Sequence, residues 1–142
     1  PSDSEDGILV EGQQSHNVEV DHCIFGPETT GFTRDGIRHV TNQINRWHVH
    51  DNYFYVRGGG VGIHTTTALG CLFERNTFKV PDAGNGEAIT ILAAGGTDTC
   101  INNNWAASGI AALTFNPFRD VGGGQHWGLN YSGLVPTYPV NV

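Results

Sequence analysis

The chain has 142 residues, of which 15% are charged and 38% hydrophobic, and its formal net charge is −7. The length predicts one domain, and the low charged fraction excludes a coiled coil. Seven basic residues against fourteen acidic ones supply no basic stripe, so we expect no nucleic-acid partner and no anionic membrane partner. No apolar run approaches the length of a membrane span, and no signal peptide is visible.

The chain opens with acidic, turn-like residues, and we predict an N-terminal extension over residues 1–6. Repetition begins at residue 7. An eight-residue segment recurs in which apolar or small residues occupy alternate positions, as in a strand with one face on a core. The copies occupy residues 18–25, 47–54, 71–78 and 99–106, with a weaker fifth copy at residues 125–132.

The sixth position of each copy holds a small polar residue, and an aromatic residue follows two positions later in the first three copies. The small polar residues are Cys23, Asn52, Asn76, Asn104 and Asn130, and the aromatic residues are Phe25, Phe54 and Phe78. Asparagine tolerates the left-handed backbone of a tight corner, and stacked amides hydrogen-bond to one another. We therefore expect asparagine at a corner that recurs along the chain.

A second recurrence precedes each copy and opens another short apolar stretch. It reads Gly7-Ile8, Gly36-Ile37, Gly62-Ile63, Ala88-Ile89 and Gly109-Ile110. Each unit of about 26 residues therefore holds at least two strands separated by turns. Because one unit cannot bury its own apolar face, the units must stack, and parallel pairing between equivalent strands satisfies this requirement.

The Asn-x-Phe steps, the Gly-Ile openings and the period resemble the right-handed parallel β-helix superfamily, which includes pectate-lyase-like proteins and phage tailspikes. The resemblance covers about residues 7–132. It implies an all-β chain, a single-stranded right-handed parallel β-helix of about five coils over residues 7–133. An antiparallel sandwich or jelly roll is the competing fold, but it does not explain a gapless repeat.

Stacking predicts which side chains share the outer face. If Trp47 and Val49 point inward, the neighbouring histidines point outward. One predicted outer column is Asp21, His50, Glu74 and Asn102, and the column beside it is Glu19, His48, Leu72 and Cys100. We name Asp21, His50 and Glu74 as the candidate substrate-binding residues of this exposed column.

Two interpretations of this column remain open. A His-x-His strand with nearby carboxylates is typical of a zinc or manganese site, or of an acid/base pair. The blander interpretation is a polar sheet face whose histidines and acids pair across units. We favour the second and expect no metal, no cofactor and no catalytic residues. Enzymes of the superfamily commonly use several Asp, or Asp with Lys or Arg, and we find no two Asp aligned in adjacent units beside an Arg.

Other candidate residues carry weaker signals. Surface pairing is favoured over acidic-sugar binding for the predicted turn with Arg34-Asp35 and Arg38-His39. Core packing is favoured for Trp47 and Trp127, whereas Trp105 is a candidate for stacking on a sugar. We interpret Cys23, Cys71 and Cys100 as three reduced, buried thiols, which suits folding in a reducing cytoplasm.

The C-terminal run over residues 134–142 contains two prolines, and we predict an extended arm rather than a further coil. The preceding Trp127-Gly-Leu-Asn-Tyr131 followed by such an arm resembles the ends of phage virion proteins. That resemblance implies a non-catalytic virion structural protein, such as a capsid decoration, head fibre or tailspike-like piece. We expect a homotrimer that packs on other virion subunits. The alternative is a secreted polysaccharide lyase or hydrolase, or a carbohydrate-binding module.

Overall fold

The computed structural model describes residues 6–12, 14–26, 35–40, 43–56, 59–80, 87–92, 98–101, 103–107, 118–132 and 135–137. These residues form β-strands and turns and contain no helix, which confirms the prediction of an all-β chain. Accordingly, no helix that could span a membrane occurs in this part of the chain.

The strands fall into five successive units. The first three units hold β1 (Ile8–Val10), β2 (Ser15–His16), β3 (Glu19–Asp21), β4 (Ile24–Phe25); β5 (Asp35–His39), β6 (Ile44–Asn45), β7 (His48–His50), β8 (Tyr53–Tyr55); and β9 (Val61–Thr65), β10 (Ala68–Leu69), β11 (Leu72–Glu74), β12 (Thr77–Val80). The last two hold β13 (Glu87–Ile91), β14 (Thr99–Ile101), β15 (Asn104–Ala107); and β16 (Phe118–Asp120), β17 (His126–Trp127), β18 (Asn130–Ser132), after which comes β19 (Val135–Thr137).

Each strand pairs with the equivalent strand of the neighbouring unit. The resulting sheets have the orders β1-β5-β9-β13-β16, β2-β6-β10, β3-β7-β11-β14-β17 and β4-β8-β12-β15-β18-β19. Every pair within the described ranges is parallel except β18 with β19. Consecutive hairpins would pair antiparallel, so the alternative of an antiparallel sandwich or jelly roll is wrong for these residues.

Columns of apolar side chains face inward and form the core. Ile8, Ile37, Ile63, Ile89 and Phe118 lie opposite one another in the first sheet, and Val20, Val49, Phe73, Cys100 and Trp127 do so in the third. Most of them are buried, and Val49, Ile63, Phe73 and Ile89 are all 0% exposed. The first-sheet column corrects one prediction, because Phe118 rather than Ile110 occupies the fifth place; Gly109-Ile110 lies outside the described residues.

The Gly-Ile openings have a physical reason in the aromatic column. Phe25 and Phe54 stack with ring centroids 4.5 Å apart, and Phe54 and Phe78 stack at 4.9 Å. A Cβ added to Gly36 would lie 2.6 Å from a ring carbon of Phe54, and one added to Gly62 would collide with the ring of Phe78. Glycine at positions 36 and 62 therefore leaves the space that the stacked phenylalanine rings occupy.

Four buried asparagines form a continuous ladder across the last four units. Asn52, Asn76, Asn103 and Asn130 are between 0% and 2% exposed. The Asn52 side-chain amide donates to Asn76 Oδ1 at 3.0 Å, Asn76 donates to Asn103 Oδ1 at 3.1 Å, and Asn103 donates to Asn130 Oδ1 at 3.0 Å. The second hydrogen of each amide bonds to a backbone carbonyl, that of Val20 in the case of Asn52 and that of Val49 in the case of Asn76.

The asparagine oxygens also accept from the backbone of the preceding unit. Asn52 Oδ1 accepts from the N–H of Cys23, and Asn76 Oδ1 accepts from the N–H of Asn52. Amide stacking is thus confirmed, but the predicted left-handed backbone belongs to the residue before. His22, Asp51 and Arg75 have φ of 50°, 54° and 51°. The asparagine follows the corner and satisfies its backbone groups.

The fourth unit departs from the predicted register by one residue. Asn103, not Asn104, joins the ladder, because Asn104 lies opposite Thr77. Trp105 consequently lies opposite Phe78 in the strand pairing. In the third sheet, Thr99 rather than Cys100 lies opposite Leu72, and Ile101 rather than Asn102 lies opposite Glu74.

The two predicted ends differ from simple extensions. Asp6 accepts from the Asp35 backbone N–H at 3.2 Å, so it contacts the first sheet although it lies within the predicted extension. Strand β19, in the predicted arm, adds no parallel strand to the stack; it folds back on its own chain and pairs antiparallel with β18. Residues 1–5 and 138–142 lie outside the described ranges.

Truncation of the ladder at its centre is the sharpest test of the fold. Asn76→Ala removes two donated and two accepted hydrogen bonds and leaves the Val49 carbonyl and the Asn52 N–H buried without them. We expect a loss of about 3 kcal/mol in the free energy of unfolding, measured by urea denaturation. Asn45→Ala truncates a buried asparagine outside the ladder and is the control. A loss no larger than that of the control would contradict a central role for the ladder.

Candidate functional site

The outer face of the third sheet carries the predicted column. Asp21, His50 and Glu74 lie opposite one another on β3, β7 and β11, which confirms their alignment. Their exposure differs from the prediction, however, because only Asp21 is exposed. His50 is 9% exposed, and Glu74 is half-buried. Both are covered by neighbouring charged side chains.

His50 is held between two carboxylates. Its Nδ1 lies 2.7 Å from Asp51 Oδ2, and its Nε2 lies 3.0 Å from Glu19 Oε1. The hydrogen bond with Asp51, and then that with Glu19, raises the pKa of His50 because both bonds favour the protonated ring. Glu19, on β3, belongs to the first unit, so this histidine links the first two units.

His48 lies beside His50 and is also oriented by a carboxylate. Its Nε2 lies 2.9 Å from Glu74 Oε1, and its Nδ1 lies 3.9 Å from Glu19 Oε1. The two imidazole rings are packed together, with centroids 3.9 Å apart. Both histidines therefore direct one nitrogen toward the same Glu19 oxygen.

Arg75 completes the arrangement at the corner after β11. Its guanidinium donates to both oxygens of Asp51, at 2.9 and 2.7 Å, and lies 2.6 Å from Glu74 Oε2. Arg75, and then His50, holds the pKa of Asp51 far below its ordinary value. Burial raises the pKa of Glu74, but hydrogen bonds with His48 and Arg75 outweigh it and the net shift is downward.

We call Glu19, His48, His50, Asp51, Glu74 and Arg75 the His/acid cluster. The repeat placed Glu19 and His48 in the neighbouring column, but no role was predicted for Asp51 and Arg75. Both occupy the left-handed corner position, which the repeat identifies as a column of its own. The charges of opposite sign at equivalent positions of adjacent units were the signal for this pair.

Aspartates also align on the first sheet, contrary to the prediction that no two do so beside an arginine. Asp6 accepts from the backbone of Asp35, and Arg38 lies 3.9 Å from the Asp6 carboxylate and 3.7 Å from that of Asp35. Asp35 is 5% exposed, and its other contacts are the Val61 N–H at 3.0 Å and His64 Nδ1 at 2.9 Å. These bonds tie three units together.

The candidate sugar-binding residues of this region are on a strand rather than in the predicted turn. Arg38 and His39 lie on β5, and His39 is 2% exposed. Arg34 lies outside the described residues. The preference for pairing over acidic-sugar binding stays a prediction for Arg38, whereas the burial of His39 removes it from the outer surface.

Two tryptophans pack as predicted. Trp47 is 4% exposed, and Trp127 packs partly against the core with Nε1 donating to Asp120 Oδ2 at 3.1 Å. The side chain of Trp105 lies outside the described part of the structure. The thiols follow the prediction in two of three cases, because Cys71 and Cys100 are buried whereas Cys23 is exposed.

The fourth unit contains an interior carboxylate that no sequence pattern indicated. Asp98 is 0% exposed, and its Oδ1 accepts from the Cys71 N–H at 2.8 Å while its Oδ2 has no hydrogen-bond partner within the described ranges. Burial, opposed in part by the hydrogen bonds with Cys71, raises the pKa of Asp98, and the negative charge of Asp120 adds to the rise. The one-residue error in the predicted register of this unit hid the position of Asp98.

No family model, curated protein or solved structure matches the chain. The geometry of the chain offers two aspartates with buried side chains beside Arg38 at the first sheet, and two imidazole nitrogens on the third sheet that converge on one carboxylate oxygen.

Replacement of Asp98 by asparagine tests the buried charge. The pKa of Asp98 is raised in the folded chain, so the folded state keeps the Asp98 proton to a higher pH than the unfolded state does. The free energy of unfolding therefore declines as pH rises from about 4 through the raised pKa. Asp98→Asn keeps the acceptor for Cys71 and removes this decline. We expect a gain of about 1–3 kcal/mol in the free energy of unfolding near neutral pH, where the wild-type carboxyl is most costly, and little gain in acid.

Urea denaturation at several pH values measures both effects. Asp120→Asn is not a suitable control, because Asp120 accepts three hydrogen bonds. Asp21→Asn, at an exposed carboxylate, is the matched control and should show no such gain. An equal gain in acid and at neutral pH would contradict the assignment of the effect to ionisation.

Proposed function

We propose that the chain is a right-handed parallel β-helix of about five coils that acts as a non-catalytic structural protein of a virion. In this role the stiff stack of units packs on further copies of itself, as a homotrimer, and on other virion subunits. The parallel pairing of equivalent strands is consistent with this fold. The virion placement rests on the resemblance of the repeat to the superfamily that includes phage tailspikes, and on that of the C-terminal run to the ends of phage virion proteins.

The observation that carries the non-catalytic role is the state of the carboxylates in and beside the His/acid cluster. A glycosidase general acid needs a carboxyl whose pKa is raised, so that it still carries a proton near neutral pH. The pKa values of Asp21, Asp51 and Glu74 are instead lowered, by partners that include His22, Arg75 and His48. A lowered pKa favours the ionised form, and each of these carboxylates also bonds to a histidine, which suits a supporting role rather than that of a general acid.

The same bonds hold successive units together. Glu19 in the first unit contacts His50 in the second, and Asp51 in the second contacts Arg75 in the third. Each bond joins side chains of adjacent units, so it opposes sliding of one unit past the next. Bonds of this kind between units stiffen the outer face, which suits a structural component.

Exposed apolar side chains of the first unit supply a packing surface. Ile24 is 75% exposed and Leu9 is 46% exposed. Both alternate along their strands with side chains that lie in the core or pack against it, so their exposure is a consequence of the register. Burial of such side chains between copies is favourable, at about 25 cal/mol per Å² of apolar surface.

Light scattering after size-exclusion chromatography tests this proposal. We expect the wild-type chain, of 15.3 kDa, to elute as a trimer at micromolar concentration. Ile24→Asp places a charge in the proposed contact and should shift the mass to that of one chain without unfolding it. Leu129→Asp, at a side chain that is 49% exposed in the fifth unit, is the control and should leave the trimer intact. A stable wild-type monomer would overturn the proposal.

A carbohydrate-active role is the second candidate, and the alignment of Asp6 with Asp35 beside Arg38 is the observation that favours it. The Asp21, His50 and Glu74 column offers a further polar face for a polysaccharide. Cleavage of an acidic glycan that disappears in Asp21→Ala, His50→Ala and Glu74→Ala variants, or in Asp35→Asn, would establish this role in place of the structural one.

A further inference from the structure

Three potential metal ligands converge in the His/acid cluster. One ligand atom each of Glu19, His48 and His50 lies within 4.8 Å of those of the other two. Glu19 Oε1 is 3.0 Å from His50 Nε2 and 3.9 Å from His48 Nδ1. Ligand atoms bound at about 2.0–2.1 Å in a tetrahedron lie roughly 3.3 Å apart, so these separations bracket those of a zinc shell.

The nitrogens that do not face Glu19 are both held by carboxylates. His48 Nε2 bonds to Glu74 and His50 Nδ1 bonds to Asp51, at 2.9 and 2.7 Å. A neutral histidine that donates from one nitrogen presents a lone pair at the other. The outer carboxylates therefore orient His48 Nδ1 and His50 Nε2 as ligand atoms, as carboxylate–histidine pairs do around protein-bound zinc.

Arg75 fixes these two outer carboxylates in turn. It contacts Asp51 through two bonds and Glu74 through one, so a single side chain holds the supports of both histidines. The three carboxylates and one guanidinium of the cluster leave a net negative charge when the histidines are neutral, and this charge attracts a divalent cation. On an ordinary polar face, histidines and acids only need to form pairs. Here each histidine also bonds an outer carboxylate through one nitrogen and turns its other nitrogen toward Glu19, which pairing alone does not require.

We propose that Glu19, His48 and His50 form a binding site for a divalent transition-metal ion, with Zn²⁺ as the expected ion. Two imidazoles and one carboxylate are the ligand types that zinc accepts, and a water molecule completes the tetrahedron on the solvent side. Glu19 has a side chain that is 65% exposed, which leaves this side open. Because Glu19 lies in the first unit and the histidines lie in the second, the bound ion cross-links two units.

The metal site does not depend on the proposed virion role, and it departs from the expectation from sequence that no metal binds. The departure has a simple origin, since the sequence places the two histidines on one face but does not show which nitrogen of each ring faces Glu19. That choice is made by Asp51 and Glu74. The repeat places Glu74 in the column beside His48 without showing the bond between them, and it assigns no role to Asp51.

Isothermal titration of the chelator-treated full chain with ZnCl₂ tests the site. We expect one Zn²⁺ per chain, with affinity about 100-fold weaker in His50→Ala and in His48→Ala because each variant lacks a ligand. Glu19→Gln keeps the size of a side chain that is 65% exposed and outside the core, and an unchanged circular dichroism spectrum would show that its weaker binding is not a consequence of unfolding. His126→Ala removes an exposed histidine elsewhere on the same sheet and should bind as tightly as wild type.

A second variant separates this site from loose binding to surface histidines. Glu74→Gln leaves all three ligands in place but weakens the support of His48, and the loss of such a support costs about 10- to 100-fold in affinity. Visible absorption of the Co²⁺-loaded chain reports tetrahedral coordination in wild type. Absence of Zn²⁺ binding in wild type, or binding that survives the combined His48→Ala and His50→Ala change, would overturn the proposal.

Discussion

The asparagine ladder is the interaction on which the rest of the structure depends. A tight corner exposes backbone N–H and C=O groups that parallel strand pairing does not reach, and those groups are buried in this chain. Asn52, Asn76 and Asn103 each bond to a neighbouring amide and to a carbonyl of the preceding unit. The corner can therefore repeat along the ladder without leaving these buried polar groups unsatisfied.

The outer His/acid cluster follows from that repetition. Because the ladder keeps the corners in register, Asp51 and Arg75 occupy equivalent places one unit apart and bond to each other. The strands that precede these corners then bring Glu19, His48 and Glu74 to the same face. The cluster thus combines residues from three units that are far apart in sequence. The same geometry suits both proposed roles: it supports the outer face, and the two histidine nitrogens that face Glu19 are placed to bind a metal ion.

Periodicity allowed most of the fold to be predicted, because a parallel stack repeats its buried positions. The inward Val49 and the stacked Phe54 and Phe78 followed from the alignment of copies. The predicted register of the fourth unit was wrong for a specific reason, because this unit contains three consecutive asparagines and each of them fits the small polar position. The deciding signal was Trp105, which lies two residues after Asn103 as Phe54 does after Asn52.

The site was less predictable than the fold, because its chemistry depends on side-chain contacts between units rather than on spacing. Alternation places His48 and His50 outward, but it does not show that Glu74 and Asp51 each hold one of their nitrogens. Asp98 shows the same limit in the interior, since a carboxylate is expected on an outer face and this one is buried.

The ladder also bears on how such a chain changes length. Asn76 and Asn103 each accept a hydrogen bond from the asparagine of the preceding unit and donate one to the asparagine of the next unit. Every internal asparagine of the ladder therefore makes the same bonds on its two sides. Duplication or deletion of one complete unit leaves the remaining partners intact, whereas an insertion of a few residues within a corner breaks the series. The ladder is therefore compatible with gene rearrangements that add or remove whole repeats, because a longer or shorter chain keeps the same kind of bond at every corner.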